Sequence, residues 1–218
     1  MNKEEYIEEI ELIREQNDTE FEIYPMVIEL IQPTIASLSK RYVFARRKSA
    51  KGQIYYGICC FPDVAILDKD YRNIANNTIS KDDWKKLRGC LEVKALGRRL
   101  ITQKQIYDIW SKKINYELLP QDIAQLIGEI LWYKKVIYTN GIEWRYLTIN
   151  NYSKNLEDAI IQIVNDRIEF ESKNPPKEFN WWSHIKELEF EIIDICITKD
   201  CLANWEDFIN RIKQINWI

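Results

Sequence analysis

The chain contains one histidine, His184, in 218 residues. No serine or cysteine nucleophile motif accompanies it, so a histidine-assisted acyl-transfer site is excluded, and His184, beside Trp181 and Trp182, is expected to serve packing or the surface. Five cysteines (Cys59, Cys60, Cys90, Cys196 and Cys201) are odd in number and lack C-x-x-C spacing, and four of them lie in apolar runs. This excludes a zinc cluster or a disulfide frame and predicts reduced core residues of a cytoplasmic protein. The N-terminus, Met1-Asn-Lys-Glu-Glu5, is acidic and no apolar run follows a basic start, so neither a signal peptide nor a membrane partner is expected. Internal repeats, low-complexity tracts, zinc fingers and a helix-turn-helix signature are also missing.

What is present is a foldable chain with segregated charge. Apolar residues make up 46% of it, enough for a sizeable core in one domain or one domain with an appendage. The formal net charge of −3 hides a basic middle. Residues 1–37 carry 2 basic against 10 acidic side chains, residues 38–152 carry 21 against 11, and residues 153–218 carry 8 against 13. Basic density peaks at Lys40, Arg41, Arg46, Arg47, Lys48 and Lys51, with no acid among residues 38–62. Because the asymmetry runs along the whole chain, the segment is read as neutralising phosphates, with a solvated loop the plainer alternative.

Apolar spacing predicts helices over residues 3–16 and from Glu20 to Ser39, with Pro25 in a first turn and Pro33 at a kink. Strands are expected at Tyr42–Ala45, Ile54–Phe61, Val64–Leu67 and Cys90–Leu96. Thr102 and Pro120 open two further helices, the first reaching Ile114. Asn140-Gly141 between two β-rich runs predicts a two-residue hairpin turn. Helices follow from about Asn155, giving an α/β fold with a mixed central sheet: residues 1–152 form its core with N-terminal helices, and residues 153–218 a helical C-terminal extension packed on it.

The chemistry is expected where charge interrupts apolar strands. Asp63 opens the run Phe61-Pro-Asp-Val-Ala-Ile-Leu67, and Glu92 and Lys94 lie two apart in Gly89-Cys-Leu-Glu-Val-Lys-Ala-Leu96, so they share one strand face. Ionised groups on a half-buried sheet are costly unless paired. Two carboxylates and an ammonium at one spot would hold a hard divalent cation beside an activated water. The simpler readings are a turn aspartate after Pro62 and a surface ion pair between Glu92 and Lys94.

Pro62-Asp63 followed by Glu92-Val93-Lys94 resembles the PD-(D/E)XK nuclease superfamily. Gln121 and Gln125, Thr139-Asn140-Gly141 and Trp144 extend the likeness to the nuclease domains of type I restriction enzymes, over roughly residues 20–150. The resemblance implies a restriction-endonuclease-like mixed sheet flanked by helices and a Mg²⁺-dependent nuclease, with Mn²⁺ as substitute. It implies that Asp63 and Glu92 bind the metal, completed by a helix glutamate, Glu22 or Glu29, with Glu22 the closer match to the family spacing. Lys94 would orient or help deprotonate the attacking water, and Gln125, or Gln121 in its place, would hydrogen-bond the catalytic strand or substrate. Arg46, Arg47, Lys48 and Asn140 become candidate nucleic-acid contacts, DNA or RNA the partner, and a homodimer would bring two sites to two strands. An alternative is a non-catalytic regulator of phage or mobile-element type on the same fold, binding nucleic acid or a protein through its C-terminal helices.

Overall fold

The computed structural model describes residues 1–43, 53–72, 78–150, 152–174 and 177–218. Two N-terminal helices come first. In α1 (Lys3–Gln16), Asn2 and Glu5 cap each other's backbone and Tyr6, Ile10 and Ile13 form the buried stripe. In α2 (Glu20–Ile31), Pro25 lies inside the helix rather than in its first turn. This helix is shorter than its apolar pattern suggested: Pro33 stands just beyond its end, and turns lead into a strand at residue 38.

A six-stranded sheet follows in sequence order: β1 (Leu38–Tyr42), β2 (Val64–Asp68), β3 (Leu87–Val93), β4 (Lys135–Thr139), β5 (Trp144–Asn150) and β6 (Glu191–Thr198). Neighbours are antiparallel except β3 and β4, which run parallel because the chain crosses over between them through α5 (Gln103–Trp110) and α6 (Gln121–Tyr133). The molecule is thus mixed α/β, with helices on both sheet faces. Val64, Ile66, Leu91, Val93 and Ile137 point to one face, where α1, α2 and α9 (Trp205–Lys213) pack; Ala65, Leu67, Cys90 and Val136 point to the other, against α6 and α7 (Lys154–Lys173).

Several expectations change. The first strand runs over Leu38–Tyr42, and Ala45 lies outside the described residues. The apolar run at Ile54–Phe61 is not a strand: Gln53–Tyr56 forms the short helix α3, with Ile54 and Ile58 both buried at helical spacing, and Gly57 turns the chain at φ 56°. The strand at Cys90–Leu96 begins earlier and ends at Val93, and α5 stops at Trp110, short of Ile114. Asn140-Gly141 is part of a four-residue loop, Asn140–Glu143, between the Thr139 and Trp144 pair. A type I′ turn needs positive φ at both central residues, and here Gly141 has it (φ 85°) while Asn140 does not. The C-terminal part is not purely helical, because Glu191–Thr198 joins the same sheet as the neighbour of β5. Two other short helices, α4 (Lys81–Lys85) and α8 (Trp182–Ile185), complete the described elements together with a 3-10 turn at Tyr116–Leu118. Among the described residues, no helix is long and apolar enough to cross a membrane.

Candidate active site

The charged residues meet where β2 begins and β3 ends. Register pairs Val64 with Leu91 across β2 and β3, which sets Asp63 and Glu92 opposite each other and therefore on one face. Asp63 bridges elements: its Oδ2 accepts from the Val93 backbone N–H at 2.7 Å, and its Oδ1 accepts from the Tyr24 hydroxyl of α2. Glu92 is 3% exposed. Its Oε1 accepts from Lys94 Nζ at 2.6 Å and from Gln125 Nε2 of α6 at 2.8 Å, while its Oε2 is buried without a hydrogen-bond partner. Gln125 Nε2 also stands 3.1 Å from Oε1 of Glu129, one turn along α6. Glu129 is 1% exposed, its second oxygen is likewise unpartnered, and Cys60 Sγ lies 3.8 Å from the first. Helix α6 comes this close because residue 128 is glycine: a Cβ there would sit 2.3 Å from Cys59 Sγ.

Burial and mutual repulsion tune these groups. Asp63 is pushed up to about 6 by burial, against the pull of Tyr24, Val93 and Lys94. Burial, then the charges of Glu129 and Asp63, raise Glu92 well above the carboxylate range despite Lys94. Glu129 rises to about 8, again chiefly through burial. For Lys94, burial disfavours the ammonium, but Glu92, Glu20 and Glu129 outweigh it and hold the group above its ordinary value. Three buried carboxyl groups thus face one cation, an imbalance that favours proton uptake or a bound positive ion.

The structure brings Asp63, Glu92, Lys94 and Gln125 together, and leaves other candidates elsewhere. Gln125, not Gln121, reaches Glu92. Glu22 is exposed and accepts from Asn17 Nδ2, and Glu29 pairs with the N-terminal ammonium. The α2 carboxylate whose charge acts on Asp63, Lys94 and Tyr24 is Glu20, one turn before Tyr24. Asn140 is buried and spends its amide on backbone groups, accepting from Ile142 and Glu143 of its own loop and donating to Arg98 O, in the segment after β3, at 2.8 Å. Arg46, Arg47, Lys48 and Lys51 lie outside the described residues. His184 stacks on Phe179 at 4.8 Å. Sequence reading missed Tyr24, Glu20 and Glu129, although i, i+4 spacing links Glu20 to Tyr24 and Gln125 to Glu129.

Among the described residues, no three His, Cys, Asp or Glu side chains form a ready-made metal cage. The donor chemistry nevertheless fits Mg²⁺, which binds through one or two carboxylates and keeps several waters. Asp63 and Glu92 offer hard oxygens, and among the described residues the one donor at hand for the buried Glu92 Oε2 is the carboxyl proton of Glu129. Comparisons with known protein families, with curated proteins and with solved structures found no match.

Proposed function

We propose that the chain is a Mg²⁺-dependent nuclease of PD-(D/E)XK type that hydrolyses phosphodiester bonds in DNA. The observation that carries this reading is the convergence of Asp63, Glu92 and Lys94 at one end of the sheet, with Glu92 Oε2 left without a partner. Asp63 and Glu92 would hold the cation, and Glu20, the α2 carboxylate whose charge acts on Asp63 and Lys94, would complete its surroundings. Bound Mg²⁺ supplies Lewis-acid stabilisation of charge developing on the phosphate.

The protein's own groups divide the remaining work. Lys94, held as an ammonium by its acidic neighbours, has no lone pair to act as a base. It orients the attacking water and donates to the phosphate oxygens as their charge grows. Gln125 fixes Glu92 Oε1, and Oε2, without a hydrogen bond, is the oxygen that would hold the cation. The Val93 N–H holds Asp63 through Oδ2, and the Tyr24 hydroxyl occupies Oδ1. All five cysteines are free thiols, in keeping with a reducing cytoplasmic setting.

The test is incubation of supercoiled plasmid with purified protein in Mg²⁺ or Mn²⁺, with and without chelator. Nicking or linearisation is expected from the wild type and none from Asp63→Ala, Glu92→Ala or Lys94→Ala, with Lys94→Ala still binding Mn²⁺. Cleavage by Asp63→Ala at the wild-type rate overturns the assignment.

A further inference from the structure

A cavity of about 310 Å³ adjoins the carboxylate cluster on the α6 side of the sheet. Gln125 and Cys60 form part of its wall and also touch the cluster, Gln125 through Glu92 and Cys60 through Glu129. An occupant would therefore sit one side chain away from the catalytic carboxylates. The volume is at the low end of small-ligand pockets, which span about 300–1,000 Å³.

The lining selects a flat and uncharged guest. Tyr116 and Trp181 meet edge to face at 6.1 Å, and Phe179 and Tyr56 add two more aromatic surfaces. Aromatic walls stack on planar rings. Arg167 is the one cation among the described lining residues, and its guanidinium is already committed: Nε donates to Gly57 O at 2.9 Å, Nη1 to Glu171 at 2.8 Å and Nη2 to Gln53 Oε1 at 2.6 Å. It also lies 4.7 Å over the Tyr56 ring. With Glu171 and Glu178 beside it, the cavity repels a phosphate and favours a group that donates hydrogen bonds. The Gln121 amide at the mouth offers one donor face and one acceptor face, the pattern that pairs with a base carrying a ring nitrogen and an exocyclic amine.

We propose that this cavity receives an amine-bearing nucleobase from the nucleotide beside the phosphate held at Asp63 and Glu92. The ligand class follows from the cavity alone, whereas its placement next to a scissile phosphate rests on the nuclease reading. A base stacked within a duplex cannot enter such a recess, so the strand being cut presents an unpaired or extruded nucleotide.

The test uses free nucleosides in chelator, where no cleavage occurs. Deoxyadenosine and deoxycytidine, titrated against the wild type by calorimetry and by ligand-observed NMR, should bind at least about fivefold more tightly than thymidine. Tyr116→Ala and Gln121→Ala should each weaken that binding by about fivefold or more, as loss of a stacking surface or an amide pair does. Gln121 is exposed, so its variant leaves the core intact. Absence of nucleoside binding, equal binding of thymidine, or binding unchanged in both variants overturns the proposal. Plasmid cleavage separates it from the nuclease reading. A protein that cleaves but binds no nucleoside overturns this inference alone, and one that binds nucleosides but never cleaves keeps the ligand class while overturning the enzyme.

Discussion

The Tyr24 hydroxyl donates to Oδ1 of Asp63, tying α2 to the first residue before β2. In the proposed metal site a divalent cation would claim that oxygen, so hydroxyl and metal would compete for it. Burial and the Asp63 charge keep the Tyr24 proton in place far above neutral pH, which makes the hydroxyl a permanent donor. A hydrogen bond to a charged group contributes about 1.5–3 kcal/mol. Tyr24→Phe is therefore expected to bind Mn²⁺ about tenfold more tightly in calorimetry while its unfolding midpoint falls by a few degrees. Unchanged or weaker Mn²⁺ binding would show that Tyr24 only positions Asp63.

Among the α2 glutamates, charge coupling singles out Glu20. Its carboxylate acts on Asp63, Lys94 and Tyr24, whereas Glu22 is engaged by Asn17 and Glu29 by the N-terminus. In a Mg²⁺ titration of plasmid cleavage, Glu20→Gln should require several-fold more Mg²⁺ for half-maximal rate. Glu22→Gln and Glu29→Gln should follow the wild-type curve. A right-shifted curve for Glu22→Gln alone would return the role to that residue.

The contrast between these glutamates shows what a linear reading conveys. Asp63, Glu92 and Lys94 were legible because strand alternation is rigid: residues two apart share a face whatever surrounds them. The choice among the α2 carboxylates was not, because Glu20, Glu22 and Glu29 differ only in which side of a helix meets the sheet, and packing decides that. Ile54–Phe61 misread for a related reason. Its β-branched and aromatic residues suit a strand, but Gly57 and the fit of α6 against Cys59 impose a short helix and a turn. The edge strand Glu191–Thr198 hid because consecutive apolar residues, Ile192-Ile193 and Ile195-Cys196-Ile197, obscure a period of two.

Glu129 should cost stability as pH rises. Burial lifts it to about 8, above the ordinary 4.5 of a glutamate, so the folded chain holds a proton there that the unfolded chain has lost. Stability therefore declines between about pH 4.5 and 8 as this proton is given up. Glu129→Gln keeps an acceptor for Gln125 without the ionisable proton. In chelator its melting temperature should match the wild type near pH 5 and exceed it by about 10 °C near pH 8.5, taking about 2–4 °C per kcal/mol for a chain of this size. A pH-independent difference would place the proton elsewhere in the cluster.

Affinity for a nucleic-acid backbone should be separable from chemistry. Arg98 and Arg99 are exposed on the segment that follows Lys94, and Arg98 lies no nearer than 3.8 Å to its only paired acid among the described residues, Asp122. On the proposed nuclease reading, both would meet phosphates flanking the carboxylate cluster. Arg46, Arg47 and Lys48 add a second basic group by sequence. Removing one cation that neutralises a phosphate should flatten the dependence of log affinity on log salt by about 0.9 for duplex DNA. The double replacement Arg98→Ala with Arg99→Ala should thus reduce the slope by about 2, and the triple replacement of Arg46, Arg47 and Lys48 by about 3, with turnover at saturating DNA largely kept. If the triple replacement leaves binding unchanged across a salt series while the double one weakens it, the DNA path runs over the Lys94 side alone. If neither does, the basic middle of the chain is a solvated surface and the charge argument for nucleic acid fails.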